Sequence, residues 1–257
     1  MCILGFLKQT LLPKNNVSLM AVDARMETRM KNTLKDYGIE LIEIPPCSGL
    51  AEPVAGHVDM QLIHVGDNVL VCQPGLPSDI LKKLKEYGFD VYTGNTLLQK
   101  DYPLDVAYNV AIVGQVAFHN TKCTDKVVAE FLSRFNIRLV HVNQGYAKCS
   151  VLPVSTESII TDDPSIAKAA RKEGFNVLQI PPQKNILLPG YSYGFIGGVA
   201  GFIDKDLIAF AGNIDMLDSS DEIKDFLKEY GVKWVNLDSN GIHDYGSLIP
   251  LYEKDTI

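Results

Sequence analysis

The sequence predicts an α/β protein, a five-fold pseudosymmetric α/β propeller of repeated strand-strand-helix-strand units. Two observations carry that prediction. One phrase, an amphipathic helix, a turn residue and a short β-rich run, recurs five times along the 257 residues. The chain also ends in a spare strand, while its first unit has no obvious leading one.

The turn residues are Gly38, Gly88, Asn136, Gly174 and Gly231, each of a type that tolerates the left-handed conformation ending a helix. Four positions before each turn stand Leu34, Leu84, Leu132, Ala170 and Leu227, and eight before stand Met30, Ile80, Val128, Ile166 and Ile223. The residue just before the turn is Tyr37, Tyr87, Phe135, Glu173 or Tyr230, so four of the five extend the same apolar stripe at helical spacing. Ser78 reads as an N-cap, and Asp163-Pro164 as an N-cap followed by Pro at the first helical position.

After each turn comes an alternating apolar run, at residues 39–44, 89–92, 137–142, 175–180 and 232–237. Upstream of each helix lies another β-rich run, at 17–22, 68–73, 116–120, 157–161 and 207–212. Leading strands are expected at 60–65, 106–113, 149–154 and 195–203, and the opening residues 1–7 read as a strand as well. An open solenoid would leave the spare strand at 245–252 unpaired, whereas closing the ring gives the first unit its missing strand. No linker or composition shift divides the chain, so one domain over residues 1–257 is expected. The stretch 181–194, rich in Pro, Gly and Tyr, reads as a long loop near the central cavity.

Composition narrows the function. With 46% hydrophobic and 21% charged residues the chain suits a soluble globular fold. Its net charge is -7 with scattered basic residues, which disfavours phosphate backbones and anionic lipid, so neither nucleic acid nor membrane is an expected partner. The apolar opening meets Lys8 too soon to be a signal peptide or a membrane span. Five cysteines (Cys2, Cys47, Cys72, Cys123, Cys149) form no C-x-x-C pair, and an odd count without a secretory signal points to reduced thiols and a cytoplasmic setting.

Thiolate chemistry needs a cysteine nucleophile, a histidine base and an orienting carboxylate brought together in space. Spacing alone does not choose them among five cysteines and five histidines. Two segments do carry a resemblance. Gly56-His57-Val58-Asp59-Met60-Gln61 and Gly145-Tyr146-Ala147-Lys148-Cys149-Ser150, whose cysteine follows His57 by 92 positions, resemble the catalytic segments of dimethylarginine dimethylaminohydrolase and arginine deiminase, members of the pentein (guanidine-modifying enzyme) superfamily. Asp105-Val106-Ala107-Tyr108-Asn109 stands where those enzymes have a segment ending near an asparagine, and residues 22–29, with Arg25, resemble their arginine-bearing strand-to-helix turn. The resemblance covers roughly residues 17–160 and is circularly shifted.

That resemblance implies a pentein propeller and a cysteine-dependent hydrolase or amidinotransferase acting on a small guanidine, amidine or related nitrogen compound. Cys149 would attack the amidine carbon, His57 would protonate the departing amine and then activate water, and Asp59 would steer His57 or touch substrate. Arg25 would hold a substrate carboxylate, with Asn109, Asp105 and Asp244 as further substrate contacts. No metal or organic cofactor is implied.

Plainer readings stand beside these roles. Cys149 could be a core cysteine, His57 and Asp59 a solvated strand end, and Arg25 with Arg29 a surface ion pair. Asp162 and Asp163 read as helix-capping residues, and His243-Asp244 as loop before the closing strand. Where guanidine-modifying penteins place carboxylates after the cysteine unit, residues 194–201 offer only small and apolar side chains. Those glycines suggest room for a bulkier ligand. The missing acids also motivate an alternative, a non-catalytic ring used as a binding module, as in the ring-shaped ribosome-binding translation factor.

Overall fold

The structure is a computed structural model and describes residues 3–255; Met1 and Cys2 of the expected first strand lie outside them. The strand-strand-helix-strand unit recurs five times among the described residues. In the second unit Leu62–Gly66 pairs antiparallel with Val69–Cys72, the helix Ser78–Glu86 crosses over, and Asp90–Thr93 returns parallel to the middle strand. The third repeats this with Ala111–Val113, Val116–His119, helix Lys126–Arg134 and Arg138–His141. Val151–Ser155, Ser158–Thr161, helix Pro164–Lys172 and Asn176–Gln179 form the fourth. The fifth comprises Ala200–Asp204, Leu207–Phe210, helix Ser220–Glu229 and Lys233–Asn236.

The first unit is completed from the far end of the chain. Its middle strand Val17–Asp23 pairs parallel with Glu40–Ile44 across helix Thr28–Asp36, and antiparallel with the C-terminal strand Ile249–Asp255. The spare strand therefore takes the leading place, four residues later than the sequence pattern began it. The short strand Ile3–Phe6 adds antiparallel to its other edge.

Every predicted turn residue has positive φ: Gly38 (78°), Gly88 (87°), Asn136 (56°), Gly174 (88°) and Gly231 (68°). The two inner stripe positions pack as expected, all buried except Ile80, which is half-buried. The position just before the turn, the C-cap residue, is looser: Tyr37 is 44% exposed, whereas Tyr87, Phe135 and Tyr230 are half-buried and pack against the core as the stripe predicts, and Glu173 is half-buried. Asp163 caps its helix, accepting from the Ile166 N–H, whereas Pro77, not Ser78, takes the N-cap position of the second unit.

Five apolar clusters bind the units pairwise. Leu19 and Ile42 pack with Leu70 and Leu84; Met60 and Val71 with Ile112 and Val128; Phe118 with Ile159 and Ile166. Leu152 and Ile160 pack with Phe202 and Ile223, and Ile203 and Ala209 with Met20 and Met30, so the fifth unit shares a core with the first. Middle strands are buried along nearly their whole length, whereas the third strands of the second to fourth units are exposed at both ends and at most half-buried between. Among the described residues Cys47, Cys72, Cys123 and Cys149 are free thiols, and no helix is long and apolar enough to cross a membrane.

Asp162, expected to cap, is instead a buried carboxyl beside the capping residue, and its Oδ1 has no hydrogen-bond partner among the described residues. Burial, with the charges of Asp163 and Asp244 adding to it, pushes its pKa up to about 7. A carboxyl raised in the folded state favours folding only while protonated, so this contribution is present below about 3.8 and is lost as pH rises towards about 7. Asp162→Asn should therefore leave urea stability unchanged at low pH and raise it above neutrality by roughly 1–4 kcal/mol.

Candidate active site

The segments just before the five leading strands meet at one place. Each contributes a hydrogen bond to the next. Asp59 N–H donates to Gly246 O (3.3 Å), Ser247 N–H to Gly198 O (2.9 Å), and Gly197 N–H to Cys149 O (2.7 Å). Lys148 N–H donates to Asn109 O (3.2 Å), and the Asn109 amide donates to Asp59 O (3.2 Å), which completes the circuit. The sequence pattern made these segments parts of strands. In the structure the strands start later, at Leu62, Ala111, Val151, Ala200 and Ile249, which frees the preceding residues to turn inward.

Cys149 lies on this circuit, 2% exposed. Its Sγ faces the Asp59 carboxylate at 3.3 and 3.4 Å and accepts from Asn109 Nδ2 at 3.1 Å. Asn109 Oδ1 in turn accepts from the Lys148 and Cys149 N–H groups at 2.9 and 3.2 Å, so one buried side chain fixes both the sulfur and its backbone. His57 and Asp59 are not a solvated strand end: they are 1% and 2% exposed, with His57 at the N-cap of the short helix Val58–Gln61. Neither ring nitrogen of His57 has a hydrogen-bond partner among the described residues, although Nε2 lies 3.8 Å from Asp244 Oδ1. Asp244 is itself anchored by the N–H groups of Phe195 (2.8 Å) and Gly246 (2.9 Å).

Sequence reasoning did not single out Lys148 and Ser247 as site residues. The Lys148 ammonium, 5% exposed as a residue, donates to Ser247 Oγ (2.7 Å) and Gly197 O (3.1 Å). The Ser247 hydroxyl reaches both Asp59 Oδ2 (2.7 Å) and Gly197 O (2.8 Å), and Ser247 itself has φ 75°. A lysine wedged between Ala147 and Cys149 at a strand entry was the available signal, because a charge on an apolar lead-in needs a buried partner.

Burial, with Asp59 and Asp244 beside it, holds the Cys149 thiol well above its usual range, against a weaker pull from Asn109 and Lys148. Burial likewise raises the Asp244 carboxyl, with His57 opposing, and lowers the Lys148 ammonium, with Asp59 opposing. The unliganded cysteine is thus a thiol donating to a carboxylate, not a preformed thiolate.

A cavity of about 270 Å³ opens above these groups. Cys149, His57 and Asp244 contribute to its lining, as do Tyr146, Phe195, Tyr191 and Tyr193, the last two from the stretch 181–194, which is not all loop as the sequence predicts but carries the short strand Ile186–Leu187, paired parallel with Ile242–His243. Asp59, Asp105 and Asn109 are not among the lining residues: Asp59 faces the Cys149 sulfur, Asp105 accepts from the Tyr146 hydroxyl, and Asn109 holds Cys149. Arg25 lines a neighbouring groove instead. Its guanidinium binds Asp23 (2.7 Å) and the backbone oxygens of Glu52 (2.7 Å) and Pro53 (3.0 Å), and Arg29 pairs with Glu27 and Asp238. His57, Asp59 and Cys149 offer donor atoms within 4.8 Å of one another, a mixed imidazole, carboxylate and thiol set of the kind zinc takes.

The glycines at 194–201 do not leave room for a ligand. A Cβ on Gly197 would stand 2.3–2.6 Å from the carbonyl oxygens of Val151, Lys148 and Cys149, and one on Gly201 would meet the Leu248 carbonyl. A Cβ on Gly198 would overlap Asp244 Oδ1. Close backbone approach is what these positions require, and it seats the cysteine segment and Asp244 together. Gly198→Ala should cost about 1–3 kcal/mol in thermal or urea denaturation and loosen Asp244 from His57. With Asp244 lining the cavity and Asp59 against the Cys149 sulfur, carboxylates are present despite their absence from residues 194–201.

Fold and site together define a class. SxtG, an amidinotransferase from Microseira wollei in the saxitoxin biosynthetic pathway, superposes with a TM-score of 0.60 at 11% identity, covering 97% of this chain and 98% of that one. Agmatine deiminase of C. jejuni gives 0.56 at 11%, over 100% and 98%. A dimethylarginine dimethylaminohydrolase adduct gives 0.54 at 9%, over 93% and 100%. The chain has the fold of the pentein superfamily, to which these structures belong. Within it, residues 21–249 match the model of a family of unknown function, DUF6873, and the chain belongs to that family. No curated protein matches the sequence.

Proposed function

We propose that this chain is a cysteine-dependent enzyme acting on the central carbon of a guanidine or amidine, as a hydrolase or an amidinotransferase. One observation carries the reading: Cys149, His57 and Asp244, brought from three separate segments, line one cavity, with the Asp59 carboxylate against the Cys149 sulfur. The circuit of lead-in segments and the core shared by the fifth and first units support a closed five-fold propeller as the frame that does this.

In the proposed reaction an amidinium or guanidinium cation enters beside Asp59 and Asp244. Its charge offsets the two carboxylates that keep Cys149 protonated, and the thiol proton passes to His57. The thiolate attacks the central carbon, a C–S bond forms, and the C–N bond breaks with its electron pair leaving on nitrogen, which takes the proton from His57. His57 then removes a proton from water, the oxygen adds to the same carbon, and the C–S bond breaks to return the thiol. An acceptor amine in place of water would make the reaction a transfer. Asn109 positions the sulfur, and Asp105 positions Tyr146.

Incubation with a panel of alkylguanidines and amidines, after chelator treatment to strip any zinc, should give amine release that Cys149→Ala abolishes. Release that persists in Cys149→Ala would remove the cysteine from the mechanism, and the same panel bound but unturned by wild type would favour the non-catalytic binding module.

A further inference from the structure

The cavity walls say what the far end of such a substrate must be. On one side Tyr146 and Phe195 stand with centroids 6.1 Å apart and planes 24° from parallel, and the Tyr146 hydroxyl is pinned by Asp105. Tyr191, Tyr193, Val54 and Leu188 line the cavity as well. Among the described residues no lysine or arginine lines the cavity. Lys148 lies beneath the floor with its donors directed at Ser247 and Gly197, and Arg25 is committed to Asp23 and the 52–53 backbone in the adjoining groove.

A substrate carboxylate in this cavity would lose its water, find no cationic partner among the lining residues, and face Asp244. A flat or aliphatic substituent would bury apolar surface against fixed rings, and a cationic head would gain from the ring faces it passes. Resting on the guanidine or amidine reading above, we infer that the substrate carries an uncharged, apolar and preferably planar N-substituent and no carboxylate, unlike an amino-acid guanidine.

Three chloroacetamidines test this: the parent, its N-benzyl derivative and its N-carboxybutyl derivative. In each, the Cys149 sulfur displaces chloride, a C–S bond replaces C–Cl, and the thiol proton is lost. Rates are read as second-order inactivation constants with the adduct located by peptide mass mapping. The N-benzyl reagent should label Cys149 at least tenfold faster than the N-carboxybutyl one. Tyr191→Ala and Phe195→Leu should each shrink that ratio by threefold or more. A carboxybutyl reagent equal to or faster than benzyl overturns the inference while leaving the proposed chemistry standing. Failure of even the parent reagent to label Cys149 selectively overturns both.

Discussion

Chloroacetamidine should alkylate Cys149 roughly 10²–10⁴ times faster than neutral chloroacetamide, once each is corrected for its reactivity with a simple thiol, because the cation gains about two charge-assisted hydrogen bonds. The two reagents should also differ in pH dependence. Burial and the neighbouring Asp59 and Asp244 raise the Cys149 pKa, so the neutral reagent meets mostly thiol at pH 7 and its rate should still be climbing above pH 9. The cation offsets the carboxylates as it binds, so its rate should level off at lower pH. Asp244→Asn then has opposite effects on the pair: it lowers the barrier to ionising the sulfur and speeds the neutral reagent, yet removes a partner of the cation and slows chloroacetamidine. His57→Ala should slow the cationic reagent without that reversal. Parallel pH curves, or an Asp244→Asn variant that shifts both reagents the same way, would mean that no cation binds beside the sulfur.

The parts of this molecule legible in the sequence are those set by local rules. Left-handed turn residues and helical stripes are short-range signals, and all five turns adopt the conformation their residue types predict. The pairing of Ile249–Asp255 with Val17–Asp23 was legible for a different reason, since an unpaired strand and a unit lacking one imply each other. Local rules failed where long-range packing decides. His57, Asn109 and Cys149 sit in runs that alternate or read as apolar strand, and Asp244 in a stretch that reads as loop, but the chain turns inward at each because five lead-in segments satisfy one another's backbone groups. The glycines at 197 and 198 looked like space for a ligand when the neighbours were unknown; the backbone of the cysteine segment and the Asp244 carboxylate fill that space. Arg25 had the right residue type for a carboxylate, yet Asp23, two positions away, claims it.

Lys148→Met should lower stability by about 3–5 kcal/mol, the cost of removing one partner from a buried charged network. Without the ammonium, the Ser247 hydroxyl has a single proton to offer either Asp59 Oδ2 or Gly197 O, and whichever it leaves is a buried acceptor with one donor fewer. Asp59 also loses the nearest positive charge while still facing the Cys149 sulfur. The origin of the loss is separable by a double-mutant cycle in urea. If Lys148 stabilises the fold by compensating Asp59, then Asp59→Asn in the Lys148→Met background should restore part of the deficit, so that the double variant is more stable than the sum of the two single changes requires. Strict additivity would mean that Lys148 acts by filling space. The same cycle read through Cys149 alkylation divides the two roles further: a residue that only packs changes the folded fraction, whereas one that sets the charge beside the sulfur also moves the pH at which that sulfur reacts.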